Sequence, residues 1–314
     1  MTVREWLTTW LAAVREEVSP KSHERYSEIV DNFLVPELGA VAITKLVPSH
    51  IQTAYSKWAI EGRRDGKSGG LSPRTRRHIH RILSSALARA VGQQVLARNP
   101  ADAFKKRLPK VERKEMTTLT VEQSARLLDA IAHSRVYWPT LIALATGMRR
   151  GEILALRWRT VDLDRGSLRV MESLEQTKTG IRFKAPKTEK TRAITLPAFA
   201  IEELLKLGVR QTSDTLVCGR ADGQPHSPLS LTYEFARFVG RMKELPRLRF
   251  HDLRHSHATQ LLASGVHPKI AQERLGHSTI STTLDLYSHV SDTMQTDAAA
   301  RLDAVFQSAK KGGR

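Results

Sequence analysis

Residues 146–154 read TGMRRGEIL, and together with HDLRHSHAT at residues 251–259 they decide the fold. The first stretch stands at the join of two helical patterns. Arg149 and Glu152 are three apart there, so they share a helix face on which a carboxylate can hold a guanidinium. The second stretch repeats the device with His251 and Arg254. An arginine presents a planar fork that matches a phosphate, and a neighbouring imidazole can take or give a proton near neutral pH. His251 and His255 also have the i, i+4 spacing of a metal pair, but no carboxylate lies at a spacing that would complete a zinc site, so no metal is expected.

Outward from these, LGHSTISTTLDLYSHV at residues 275–290 places Gly276 at a helix end, His277 in the turn and Tyr287 ten residues later. PKTEKTRAI at residues 186–194 sets Lys187 in a hairpin turn. Taken singly, these read as a surface ion pair, a packed aromatic and a solvated lysine. Between Val161 and Leu196, short apolar clusters (Leu168, Val170 and Met171; Ile181 and Phe183; Ala193, Ile194 and Leu196) predict a small antiparallel sheet of about three strands. Helical patterns surround it, from Thr120 with Glu122 and Gln123 as an N-terminus, through Leu141–Leu156, to Ile201–Leu207, Leu231–Val239, Asp252–Ala263, Pro268–Leu275 and Met294–Ala309.

The first hundred residues are helical throughout. Trp6, Leu7, Trp10, Leu11 and Val14 recur at three and four, as do Tyr26, Ile29, Val30, Phe33 and Leu34. Pro48-Ser49 opens a third helix, and a polar loop over 61–70 leads to a fourth from about Pro73 to Val91. That last helix buries Ile79, Ile82, Leu83, Ala86 and Leu87 and leaves Arg74, Arg76, Arg77 and Arg81 for a ligand. The 314 residues carry 50 basic against 32 acidic side chains, a formal charge of +18, which calls for a polyanion. Residues 61–114 hold 15 Lys or Arg against four acids, so 15 − 4 = 11 of those charges lie in one segment. One cysteine, Cys218, excludes an intrachain disulfide and suits a reducing cytoplasm. With no signal peptide and no apolar run near the roughly 20 residues of a membrane span, nucleic acid is the expected partner and membrane is not. The charge-rich stretch KKRLPKVERKEM marks a linker, giving a helical domain over 1–107, a linker over 108–116 and a second domain over 117–314.

Arg149, Lys187, His251, Arg254, His277 and Tyr287, in this order and with these neighbours, resemble the tyrosine recombinase, or phage-type integrase, family, and all six family positions are filled. The resemblance implies a mainly α fold with a small antiparallel sheet, in which a helical core-binding domain and a mixed α/β catalytic domain clamp opposite faces of double-stranded DNA. It implies site-specific recombination through a 3′-phosphotyrosyl intermediate on Tyr287, integrating or excising a phage or mobile element. Arg149 and Arg254 would hold the phosphate, with His277 as a further donor, His251 as base or relay, Lys187 as acid on the leaving oxygen, and Glu152 behind Arg149. No ATP, metal or other cofactor is implied.

A homotetramer on two duplexes is implied, with room for accessory DNA-bending or directionality proteins, and with the stripe Met294, Ala298, Leu302, Val305 and Phe306 packing on a neighbouring protomer. Many integrases carry an arm-binding domain ahead of the core-binding one, whereas this chain begins almost at the latter. It is therefore read as a two-domain or a shortened form. Chromosome-dimer resolvase is the nearest alternative, against which the long hairpin region and the C-terminal segment favour integrase. Modest length and the LGH motif speak against a type IB topoisomerase, and the filled catalytic set speaks against a non-cleaving DNA-binding regulator.

Overall fold

The computed structural model describes residues 1–112, 116–186, 191–207, 214–284, 299–300, 302–303 and 306–307. By its internal contacts the chain divides into two compact units, Met1–Lys114 and Glu115–Arg314.

The first unit is a helical bundle whose starts are set by local chemistry. Thr2 caps α1 (Val3–Val14) with its hydroxyl on the Glu5 N–H, and Glu5 reaches back to the Thr2 N–H at 2.8 Å. Ser19 and Ser72, each followed by proline, start α2 (Pro20–Ile29) and α5 (Pro73–Gly92). A π-helical turn over Val30–Leu34 joins α2 to the short α3 (Val35–Leu38) and buries Val30, Phe33 and Leu34. With α4 (Pro48–Glu61) these helices enclose Trp6, Trp10, Trp58, Ile79 and Leu83, and the Trp6 indole donates to the Ala86 carbonyl at 2.9 Å.

On α5, Arg74, Arg77 and Arg81 are exposed as expected, but Arg76 is not free. Half-buried, it shares a helix face with the buried Ile79, His80 and Leu83 and lines a recess with Tyr55 and Phe104, its Nε shielded from solvent.

In the second unit α6 (Val121–Ile131), capped by Thr120 with Gln123, precedes α7 (Tyr137–Thr146) and α8 (Arg150–Leu154). Among the described residues five strands follow in two sheets, where about three strands in one sheet were expected. β1 (Val161–Asp162), β2 (Ser167–Val170) and β5 (Arg192–Thr195) pair antiparallel in the order β1-β2-β5, with Leu168 opposite Ile194. β3 (Ser173–Thr177) and β4 (Gly180–Lys184) form a separate hairpin inserted between β2 and β5. The sequence SLEQT hides β3 because Leu174 is its one apolar residue. Ile181 and Phe183 of β4 imitate a core strand while lying 39% and 37% exposed. Arg157 covers the Phe183 ring at 4.9 Å, and Glu175 pairs with Arg182 and Lys184, so side chains hold the hairpin in place of a core.

Further helices are α9 (Ala198–Leu205), α10 (Pro228–Val239), α11 (Asp252–Ala263), α12 (Pro268–Leu275) and α13 (Ile280–Leu284). α11 packs on α7, and the core runs from Leu119 through Trp158 and Phe235 to Leu253. This is a mainly α fold with small antiparallel sheets. Among the described residues no helix is long and apolar enough to cross a membrane. Met294, Ala298 and Val305 of the expected C-terminal stripe lie outside the described residues, whereas Leu302 and Phe306 are exposed.

Candidate active site

α7 ends because Gly147 turns left-handed at φ +66°, and its missing Cβ leaves room for His257 and Leu275. Arg149 is therefore delivered in extended conformation at the N-cap of α8. Glu152, 1% exposed, accepts the Arg149 backbone N–H and its Nη1, each at 2.9 Å. One carboxylate thus caps the helix and aims the guanidinium.

Arg254 points from α11 into the same place, 3% exposed, and donates to the carbonyls of Gly147 and Leu275 at 2.7 Å each. Asp252 starts α11 by accepting from the Arg249 N–H and guanidinium at 2.7 Å. His251 sits at the N-cap, one turn from Arg254, with its ring edge-on to His255 at 5.2 Å. The third histidine, His257, is a packing residue that bridges the Leu144 carbonyl and the Arg274 Nε.

α12 ends at Gly276, left-handed at φ +66°, whose carbonyl accepts Arg149 Nη2 at 2.9 Å. The turn then presents His277, held through Nδ1 to the Thr283 hydroxyl of α13 at 2.9 Å.

Two arginines were missed in the sequence. Arg192, the first residue of β5, donates Nη2 and Nη1 to Glu152 at 2.7 and 3.2 Å and Nε to the Arg274 carbonyl at 2.9 Å. Arg274 in turn binds the Thr195 and Ala145 carbonyls at 2.8 Å. The available signal was an arginine opening an apolar strand, which reads as an ordinary edge residue.

Positive charge therefore concentrates around one carboxylate. Glu152 is so buried that desolvation alone would raise its pKa. Bonds and charge from Arg192, the Arg149 N–H and the Arg149 charge outweigh this and hold it below the usual carboxylate range. Burial, with Arg149 and Arg192 nearby, brings Arg254 down to about 9, still charged at neutral pH. Burial and the surrounding arginines hold His277 at about 3. His251, although exposed as a residue, is held at about 4 by desolvation and then by His255 and Arg254. Both imidazoles are neutral at pH 7, and the cluster is short of negative charge.

Arg149, Glu152, Arg254 and His277 are thus brought together, with His251 beside them. Lys187 and Tyr287 lie outside the described residues. Arg74, Arg76, Arg77 and Arg81 belong to α5 of the first unit. Among the described residues no three metal-ligating side chains gather.

Residues 117–294 match the phage integrase family, and residues 2–59 match the phage integrase N-terminal SAM-like domain. A tyrosine recombinase XerC-like protein of Caldanaerobacter subterraneus subsp. tengcongensis is 27% identical over 98% of this chain and 84% of its own length. A tyrosine recombinase XerC of a Mycobacterium species is 33% identical over 70% and 71%. The ICEBs1 integrase of Bacillus subtilis is 27% identical over 95% and 81%. In fold, the Tn1549 transposon integrase in complex with a circular intermediate DNA superposes with a TM-score of 0.78, at 22% identity over 96% of this chain and 99% of that one. A lambda integrase dimer bound to a COC′ core site gives 0.70, at 19% identity over 91% and 95%. With a family match over more than half its length, the chain belongs to the phage integrase family, the tyrosine-type site-specific recombinases.

Proposed function

We propose that this recombinase integrates or excises a mobile element, with Tyr287 as its nucleophile. The observation that carries the reading is the set of guanidinium groups gathered on Glu152 beside His277. A phosphodiester repels nucleophiles, and its transition state spreads further negative charge over the phosphate oxygens. Catalysis therefore needs fixed positive charge and proton transfer. Arg149 and Arg254 hold the non-bridging oxygens, each such donor being worth roughly 3 kcal/mol or more. His277, neutral, adds a hydrogen bond. The Tyr287 hydroxyl, with an ordinary pKa of about 10, passes its proton to His251 and bonds to the 3′ phosphate, while Lys187 protonates the departing 5′ oxygen. The phosphotyrosyl ester keeps the energy of the broken bond, so a second 5′ hydroxyl can reverse the step on another strand.

Residues 1–107 act as the core-type DNA-binding domain, 108–116 as linker and 117–314 as catalytic domain, with Arg74, Arg77 and Arg81 on the DNA backbone. Exchange between two duplexes needs four protomers, which favours a homotetramer coupled through the C-terminal segment. Accessory proteins that bend the DNA or set direction belong to the same scheme, which operates in the cytoplasm. Resemblance to the ICEBs1 integrase and to the integrase of Mycobacterium phage L5 supports the mobile-element reading.

Incubation with a nicked recombination-site duplex is expected to give an SDS-resistant protein–DNA adduct, and Tyr287→Phe to abolish it. Persistence of the adduct in that variant would refute the assignment.

A further inference from the structure

We propose that Arg192, acting through Glu152 and the Gly276–His277 turn, is a positioning residue of the strand-exchange reaction that keeps the phosphate clamp two charges positive. The proposal rests on the function given above. Each oxygen of Glu152 accepts from both Arg149 and Arg192, and the Arg192 Nε is fixed to the last turn of α12. The Arg192 guanidinium also lies against Gly276. A Cβ there would stand 3.1 Å from Nη1 and 3.2 Å from Cζ and Nε. One side chain therefore ties the start of β5 to the group that aims Arg149 and to the turn that presents His277. Lys187 is only 192 − 187 = 5 positions earlier in the chain.

Charge counting gives the connection to chemistry. Arg149, Arg254 and Arg192 against Glu152 sum to 3 − 1 = +2. Without Arg192 the carboxylate would neutralise Arg149, leaving 2 − 1 = +1. The attacked phosphodiester carries one negative charge and gains a second as the tyrosyl oxygen, its proton passed to His251, bonds to phosphorus before the 5′ oxygen leaves, so each fixed positive charge of the clamp counts most at the transition state. Nη1 and Nη2 of Arg192 are both turned to the Glu152 carboxylate and Nε to the Arg274 carbonyl, the arrangement of a side chain that holds and balances Glu152.

A staple that merely held the fold would lose rate only in step with stability. The test is therefore single-turnover adduct formation on the nicked duplex, read beside DNA affinity and thermal unfolding. Arg192→Gln is expected to slow adduct formation about tenfold to a hundredfold while affinity holds. Arg192→Lys, which keeps charge without the fork, should fall between it and the parent. Combining Arg192→Gln with Glu152→Gln restores the clamp to +2 and should recover part of the lost rate. A parental rate in Arg192→Gln, or no recovery in the double variant, would overturn the proposal. Should Arg192→Gln fail to fold, Arg192→Met, which also removes the charge, decides on the same readouts, and a parental rate there overturns it equally. A parent that forms no adduct removes the function and this role together, whereas a normal parent with an unaffected variant removes this role alone.

Discussion

His257 donates from Nδ1 to the Leu144 carbonyl at 2.6 Å and accepts at Nε2 from Arg274 at 3.2 Å, so its two nitrogens require opposite roles and the ring must be neutral. Burial first, then the charge of Arg274, holds its pKa at about 4. The unfolded chain binds this proton below about 6.5 and the folded chain does not, so folding stability is lost as pH falls from about 6.5 to 4. For this 5% exposed residue the loss approaches about 3 kcal/mol. Urea unfolding between pH 7 and 4.5 is expected to show a falling midpoint, with a shallower fall in His257→Gln, whose amide offers the same donor and acceptor. His251 and His277, also depressed, act in the same direction. The sequence marked His251 and Arg254 by their spacing, but nothing in HDLRHSHAT says which histidine faces the core. That depends on α7, which supplies Leu144.

At the scale of elements, two left-handed glycines make the site. Gly147 ends α7 and Gly276 ends α12, and each places a carbonyl where an arginine takes it. A Cβ on Gly147 would stand 2.6 Å from both His257 and Leu275 atoms. Gly147→Ala is expected to cost about 2–4 kcal/mol, from backbone strain plus overpacking, and to lower the thermal midpoint of the second unit. An unchanged midpoint would mean that the turn relaxes. The helices were legible because their apolar residues recur at three and four and their starts carry Thr, Ser or Pro. The hairpin β3–β4 was half legible, since alternation marks burial and this ribbon is held by Glu175, Arg182, Lys184 and the Arg157–Phe183 contact instead. Arg192 escaped for a related reason. Its partners are 40 and 82 residues away, and no local pattern announces them.

Across the whole molecule, an excess of +18 implies DNA binding that weakens steeply with salt. Replacing Arg74, Arg77 and Arg81 by Gln is expected to reduce the slope of log affinity against log salt by roughly 2.7, about 0.9 for each phosphate no longer neutralised. Arg76→Gln should change the slope less than Arg77→Gln, because that side chain is half-buried beside the Tyr55 and Phe104 recess. Equal effects from Arg76 and Arg77 would contradict this division. Composition made the charge legible, while the helix face on which each arginine lies needed the fold. In the second unit, Arg149, Arg192, Arg254 and Arg274 are anchored on the main-chain carbonyls of residues 276, 274, 147, 275, 195 and 145. Apart from the two left-handed glycines, 147 and 276, these residues offer their carbonyl whatever side chain they bear. Neighbouring positions can therefore drift over generations without loosening the cradle, and a lineage can rewrite most of its letters while the geometry is inherited intact.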